Sequence, residues 1–198
     1  MRVHIFHRVN VDMTRRAMQS VKDAGAVPVV VDNSDNYDFQ LDGSLRLPPQ
    51  LYSFAAMHNW MCDTLGHYYW MHNDVEAPKE TFDALREAVR TRKENTGIVF
   101  ADYDRLCWFD TKAIKDAGWW DLRLPQYFSD NDIYRRVRLA GWEIKDLNLP
   151  LTHHASSTLK DPQHKLINDQ TFSLYATYYA RKWGGIPDYE TFQTPFNQ

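Results

Sequence analysis

The stretch Arg2–Asp35, RVHIFHRVNVDMTRRAMQSVKDAGAVPVVVDNSD, decides the fold class. Arg2–His7 carries Val3, Ile5 and Phe6 and runs straight into the polar turn Arg8-Val9-Asn10, which predicts a first strand. Across Met13–Ala24, Ala17, Met18 and Val21 share one helical face, Asp12 or Thr14 is placed to cap, and Gly25 suits the position after the helix. Ala26–Val31 (AVPVVV) is then an unbroken apolar run, as expected of a strand covered on both faces. Strand, helix and strand in this order form a βαβ unit, which implies parallel pairing through a right-handed crossover.

The rest of the chain extends the same pattern. Tyr37–Pro49, with Gly43 and Pro48-Pro49, reads as a surface loop. Phe54, Met57, Met61 and Leu65 mark a helix stopped at Gly66, and the aromatic run His67–Met71 (HYYWM) is a strand emptying into His72-Asn73-Asp74. Pro78 opens a helix whose buried stripe is Phe82, Leu85 and Val89. Gly97–Ala101 and Leu106–Phe109 are short strands around the turn Asp102-Tyr103-Asp104. Helices are expected over Thr111–Ala117, Asp130–Ala140 and about Asn168–Lys182, with a strand over Trp142–Leu147. The fold class is α/β, a mixed sheet flanked by helices.

Composition bounds the function. At 198 residues one domain is expected. With 43% hydrophobic and 25% charged residues, the chain can form a proper core and is neither disordered nor fibrous. Lys and Arg total 23 against 26 Asp and Glu, a net charge of -3, so no global positive field advertises nucleic acid or anionic membrane as partner. The basic groups Arg86–Lys93 and Arg135–Arg138 read as solvated helix faces. Cys62 and Cys107 are far apart, Met1–Asn10 lacks the pattern of a secretory signal, and no apolar run is long enough to span a bilayer. A reducing, cytoplasmic setting without an integral membrane segment is the expectation.

Chemistry is expected where strands end, because open α/β sheets bind ligands beyond the carboxyl ends of their strands. Arg8 and Asn10, Asp32 with Asn33, Ser34 and Asp35, and His72-Asn73-Asp74 form three polar clusters on one such rim. Each also suits an ordinary turn. His72 and Asp74, two apart in extended chain, project ligand atoms to the same side. The first strand is not followed by a glycine-rich phosphate loop, so bound phosphates need a cation, and Asp74 suits a divalent one, Mn2+ or Mg2+. Asp130 and Asp132 open a helix, where acids serve as caps; the alternative is a general base drawing a proton from a hydroxyl. In His153-His154, after another strand end, an imidazole is available to complete the metal shell.

In their order along the chain, these motifs resemble the inverting GT-A-fold glycosyltransferases of the family 2 type, whose nucleotide-binding part is Rossmann-like. The resemblance covers most of the chain. It divides one GT-A-like domain into a nucleotide-sugar-binding half, about 1–102, and an acceptor-side half with the C-terminal helix, about 103–198. It implies that Asp32 contacts the base or ribose of the donor, that Arg8, Asn10, Asn59, His72 and Asn73 lie around the nucleotide, and that Asp74 is the metal-binding acid of a DxD-like motif whose first Asp is replaced by His72. Gly118-Trp119-Trp120-Asp121 is similar to the segment shaping the acceptor side, which assigns Trp119, Trp120 and Asp121 there. Tyr127–Asp132 resembles the segment holding the catalytic base, with Ser129 in place of its Glu; the base maps to Asp130, with Asp132 as second choice. Thr152–Ser157 resembles a later histidine motif, in which register favours His154 as the metal ligand. Arg181-Lys182-Trp183-Gly184 is similar to a C-terminal segment of these enzymes.

The implied reaction is metal-dependent transfer of a hexosyl or pentosyl group from a nucleoside-diphosphate sugar to a hydroxyl, with inversion. The acceptor is left open among a glycan, a protein, a lipid headgroup and modified nucleic acid. Two rival readings keep the same residues: a nucleotidyltransferase, which releases pyrophosphate, and a relative that binds nucleotide or carbohydrate without turnover.

Overall fold

The computed structural model describes residues 1–32, 34, 45–46, 53–154 and 160–198. Most of the expected loop Tyr37–Pro49, together with Asn33, Asp35 and the Ala155-Ser156-Ser157 end of the histidine motif, lies outside them.

A seven-stranded mixed sheet forms the centre, in the order β3-β2-β1-β4-β7-β6-β8. Its strands are β1 (Arg2–His7), β2 (Val27–Asp32), β3 (Leu45–Arg46), β4 (His67–Met71), β6 (Thr96–Phe100), β7 (Leu106–Asp110) and β8 (Glu143–Asp146). The opening βαβ reading holds: β1 pairs parallel with β2 from Arg2↔Val27 to His7↔Asp32, and with β4 on its other side. This register ends β1 and β2 together. β7 runs antiparallel to both β4 and β6, so the sheet is mixed as expected. A two-stranded ribbon, β5 (Val75–Glu76) with β9 (Thr152–His153), stands apart from it.

Side-chain alternation builds two cores. Val3 and Ile5 of β1, Met71 of β4, Val99 of β6 and Trp108 of β7 pack on one face with α1 (Val11–Asp23) and α3 (Lys79–Arg90). Phe6, Trp70, Phe100 and Phe109 face the other way, toward α2 (Phe54–Thr64), α4 (Thr111–Asp116) and α5 (Ser129–Leu139). Covered on both sides, β6 is buried throughout. Much of the aromatic content is spent here, since Trp70, Trp108, Trp120 and Trp183 are all fully buried.

Two helix starts differ from the expected ones by more than a residue. α1 starts at Val11, and its cap is Asn10 instead of Asp12 or Thr14: Asn10 takes a left-handed conformation and its side chain accepts from the Met13 N–H. The last helix, α6 (Pro162–Trp183), begins earlier than expected, with Asp161 capping and Pro162 in the first turn. Its first half, on which Leu166 is exposed, has no continuous buried stripe to mark it in the sequence. Among the described residues no helix is long and apolar enough to cross a membrane.

Candidate functional site

β4 delivers the site. Its extended chain stops at Met71, and His72 is held by a backbone hydrogen bond to the Arg105 carbonyl at 3.0 Å. Asp74 follows, 7% exposed, and leads into β5. The β5–β9 ribbon pairs Val75 with His153 and brings the His154 N–H to the Asp74 carbonyl at 2.9 Å. His153 Nε2 thereby stands 3.4 Å from Asp74 Oδ1, with His72 Nδ1 at 3.8 Å from the same oxygen. One ligand atom from each of His72, Asp74 and His153 lies within 4.8 Å of the others.

The histidine whose ring lies beside Asp74 is thus His153, not the expected His154. Neighbouring side chains in extended chain point to opposite faces, so only one of the two histidines can meet Asp74. His154 turns to Glu76, with Nε2 2.8 Å from Oε1.

The donor set fits a divalent cation. His72 Nε2 is buried without a hydrogen-bond partner among the described residues, and Asp104 Oδ1 is 3.8 Å from it, beyond bonding range. Burial lowers the His72 pKa below 6.5 against the opposing pull of Asp74 and Asp130, and lowers that of His153 against the pull of Asp74. Both imidazoles are therefore neutral at pH 7, the form that ligates metal.

Two acids complete the cluster. Asp130, in the first turn of α5, and Asp104, in the β6–β7 turn, are each pushed up to about 6. Burial is the larger cause for both. The Asp104 charge raises Asp130 further, while nearby backbone N–H groups and His72 hold it down. The charges of Asp74 and Asp130 both act on His72. Asp104 is absent from the expected set, because an Asp in a short turn carries no sequence signal beyond the turn itself.

The remaining predicted residues divide between rim and scaffold. Asp32 is 6% exposed at the end of β2, where its Oδ1 accepts from the Ser34 N–H and hydroxyl at 2.9 and 2.6 Å. Arg8, after β1, donates to His164 Nε2 of α6 at 3.2 Å. Asn10 is a cap, and Asn73 Nδ2 donates to the Val9 carbonyl and to Thr14 Oγ1, tying the β4 end to the start of α1. Asn59 clamps the Trp120 backbone, donating to its carbonyl and accepting from its N–H, both at 2.9 Å.

The expected acceptor segment is likewise largely occupied. Trp120, 2% exposed, stacks on His58 with centroids 4.1 Å apart, which closes its face to any sugar. Asp121 accepts from Lys182 Nζ at 2.7 Å and from the Tyr178 hydroxyl at 2.9 Å. Trp119 is half-buried beside Lys115. Asp132 is fully buried: Arg136 and Lys182 each come within 2.7 Å of it, and Trp183 Nε1 donates at 2.8 Å. It anchors α5 to α6. Of the two acids at the α5 start, Asp130 is the one that is not fully buried as a residue.

No protein-family model matches the chain, and no curated protein matches it. Among solved structures, residues 1–349 of S. aureus TarS, crystallised in complex with UDP, match with a TM-score of 0.56 at 11% identity, over 74% of this chain and 57% of that one. Apo mouse xyloside xylosyltransferase 1 matches with a TM-score of 0.37 at 9% identity, over 73% and 77% of the two chains. The match thus spans a little over half of that TarS structure, residues 1–349. The TarS match shows a GT-A-like glycosyltransferase fold.

Proposed function

We propose that the protein transfers a sugar from a nucleoside-diphosphate sugar to an acceptor hydroxyl. The observation that carries this reading is the convergence of His72, Asp74 and His153 with Asp130 beyond the end of β4, in a fold shared with a glycosyltransferase structure that holds UDP.

His72, Asp74 and His153 hold the divalent cation in this reading. Two imidazoles beside one carboxylate favour a transition ion such as Mn2+ over Mg2+, which prefers a nearly complete oxygen shell. When bound, the cation supplies positive charge to the diphosphate as it departs. Asp32 at the end of β2 and Arg8 just after β1 contact the nucleoside in this reading.

Asp130 is the general base. With its carboxyl pushed up to about 6, it is ionised at pH 7 yet more basic than an ordinary aspartate. It takes the acceptor hydroxyl proton while that oxygen forms the new bond to the anomeric carbon. The bond from that carbon to the diphosphate oxygen breaks, and the nucleoside diphosphate leaves with the electron pair. A single displacement of this kind inverts the anomeric centre. A nucleotidyltransferase would instead release pyrophosphate from a nucleoside triphosphate, so product analysis separates the two reactions.

The decisive experiment is a thermal-shift titration with UDP, with and without Mn2+. A ligand that binds only the folded state raises its melting temperature, by about 2.7 kcal/mol of stability at a hundredfold excess over Kd. UDP with Mn2+ is expected to raise the melting temperature of the wild type, and Asp74→Ala to lose the Mn2+-dependent part. An unchanged response in Asp74→Ala removes the cation from this site, and the absence of any response to UDP or other nucleoside diphosphates in the wild type overturns the proposed function.

A further inference from the structure

His72 stands between two carboxylates. Its Nδ1 lies 3.8 Å from Asp74 Oδ1, and its Nε2 lies 3.8 Å from Asp104 Oδ1. Asp74 belongs to the proposed cation set and Asp104 does not: among the described residues, only His72, Asp74 and His153 bring ligand atoms within 4.8 Å of one another. Asp104 is thus an acid beside a ligand, with its side chain only 14% exposed.

The β6–β7 turn is built against this histidine. The His72 N–H donates to the Arg105 carbonyl at 3.0 Å, so the residue after Asp104 holds the His72 backbone while Asp104 addresses its ring. The turn is itself tied down. Arg105 pairs with Asp102 inside it, the Ala101 N–H donates to the Leu106 carbonyl at 2.8 Å, and the Tyr103 N–H donates to Asp146 Oδ2 of β8 at 3.0 Å. The His72 ring packs on Trp70 with centroids 4.6 Å apart and meets His153 edge to face at 5.7 Å. Packing restricts where the ring lies, and what remains is which nitrogen carries the proton.

A neutral imidazole has one N–H and one lone pair, on different nitrogens. To share a cation with Asp74 and His153, His72 must offer the lone pair of Nδ1, the nitrogen beside Asp74, and the proton then sits on Nε2. That atom is buried without a hydrogen-bond partner among the described residues, and the Asp104 carboxylate is less than about 1 Å beyond N–H···O range. A buried N–H left without an acceptor is costly, and a metal-bound histidine that hands its second N–H to a carboxylate gains a fixed ring and a more basic ligand atom. We propose that Asp104 is a positioning residue of the cation site: it accepts a hydrogen bond from His72 Nε2–H and so holds the tautomer whose Nδ1 lone pair faces Asp74. The inference rests on the cation of the sugar-transfer reading and adds to it a residue outside the ligand set.

Two measurements on the 198-residue chain test it. In calorimetric titration with Mn2+ alone, Asp104→Ala is expected to weaken wild-type affinity by about tenfold or more, the usual effect of losing such a partner. Asp104→Asn keeps an acceptor oxygen and should stay within about threefold. Long-range 1H–15N spectra of the protein loaded with Zn2+, a diamagnetic probe, read the tautomer. The wild type and Asp104→Asn should show His72 ligated through Nδ1 with its proton on Nε2, a signal assigned by its loss in His72→Gln; in Asp104→Ala it should broaden through exchange with water. Thermal unfolding of the cation-free variants reports that each is folded at the titration temperature. Equal Mn2+ affinity in Asp104→Ala leaves the orientation of His72 to the backbone of the turn and overturns the proposal. So does ligation of His72 through Nε2, and so does an equal loss in both variants, which makes the Asp104 charge and not its acceptor oxygen the cause. A wild type that binds neither Mn2+ nor Zn2+ removes the cation site and this inference with it. Failure of sugar transfer appears separately, as a wild type that binds Mn2+ but does not respond to UDP or other nucleoside diphosphates.

Discussion

Asp130 and Asp132 stand two residues apart at one helix start, and their surroundings send them to opposite tasks. Asp132 is enclosed by Arg136, Lys182 and Trp183, so removing its charge leaves Arg136 without its carboxylate partner and Lys182 with Asp121 alone. Asp132→Asn is expected to lose about 3–5 kcal/mol, the usual cost of breaking a buried ion pair, read by urea unfolding. Asp130 instead faces Asp104 and burial, both of which resist its charge. Asp130→Asn should abolish transfer, retain the UDP shift and raise stability at pH 7 by on the order of 1 kcal/mol, because a strained charge disappears. Transfer at the wild-type rate in Asp130→Asn would remove it from the mechanism. Sequence spacing left both acids as candidates, since an anchoring acid and a basic one occupy the same helix-start positions; only the cations brought in from α5 and α6 separate them.

Among the elements, the ends matter more than the middles. α1 was legible from Ala17, Met18 and Val21, but its start was not, because Asn10, Asp12 and Thr14 all have capping side chains. Asn10→Ala removes the accepted Met13 N–H bond and forces a β-carbon without local compensation into a left-handed conformation. A loss of about 1–2 kcal/mol follows, seen as a fall in melting temperature of roughly 2–8 °C for a chain of this size. If Asn10 acts as a cap alone, the UDP affinity of the variant at a temperature where it is folded equals that of the wild type; a tenfold loss would restore the donor contact that the resemblance implied. The β5–β9 ribbon makes the same point for the cation site. Two-residue strands are too short to announce themselves, and the register Val75↔His153 decides which histidine faces Asp74.

Over the whole molecule, titration is dominated by histidines that the fold keeps neutral. His4, His7, His58, His72 and His153 all lie below the ordinary 6.5, with burial the largest cause in each. A lowered histidine means that the unfolded chain binds protons which the folded one refuses, so its stabilising contribution is present above 6.5 and is lost as pH falls below it. Asp104 and Asp130 act in the other direction: raised from 3.8 to about 6, they destabilise above that range and recover as pH falls from about 6 toward 4. Five groups oppose two, so the melting temperature of the cation-free protein should fall as pH is lowered from 7 to 5; a rise over that interval would show that the two acids outweigh the histidines. The sequence by itself determined the parallel βαβ opening, the aromatic strand β4 and the gathering of polar residues at strand ends, because hydrophobic period and turn chemistry are local properties of neighbouring residues. Only the tertiary structure decided that His153 rather than His154 meets Asp74, that Trp120 is covered, and that Asp104 faces Asp130. Those are contacts between segments distant along the chain, set by strand register and by which buried groups must be satisfied, and no local pattern encodes them.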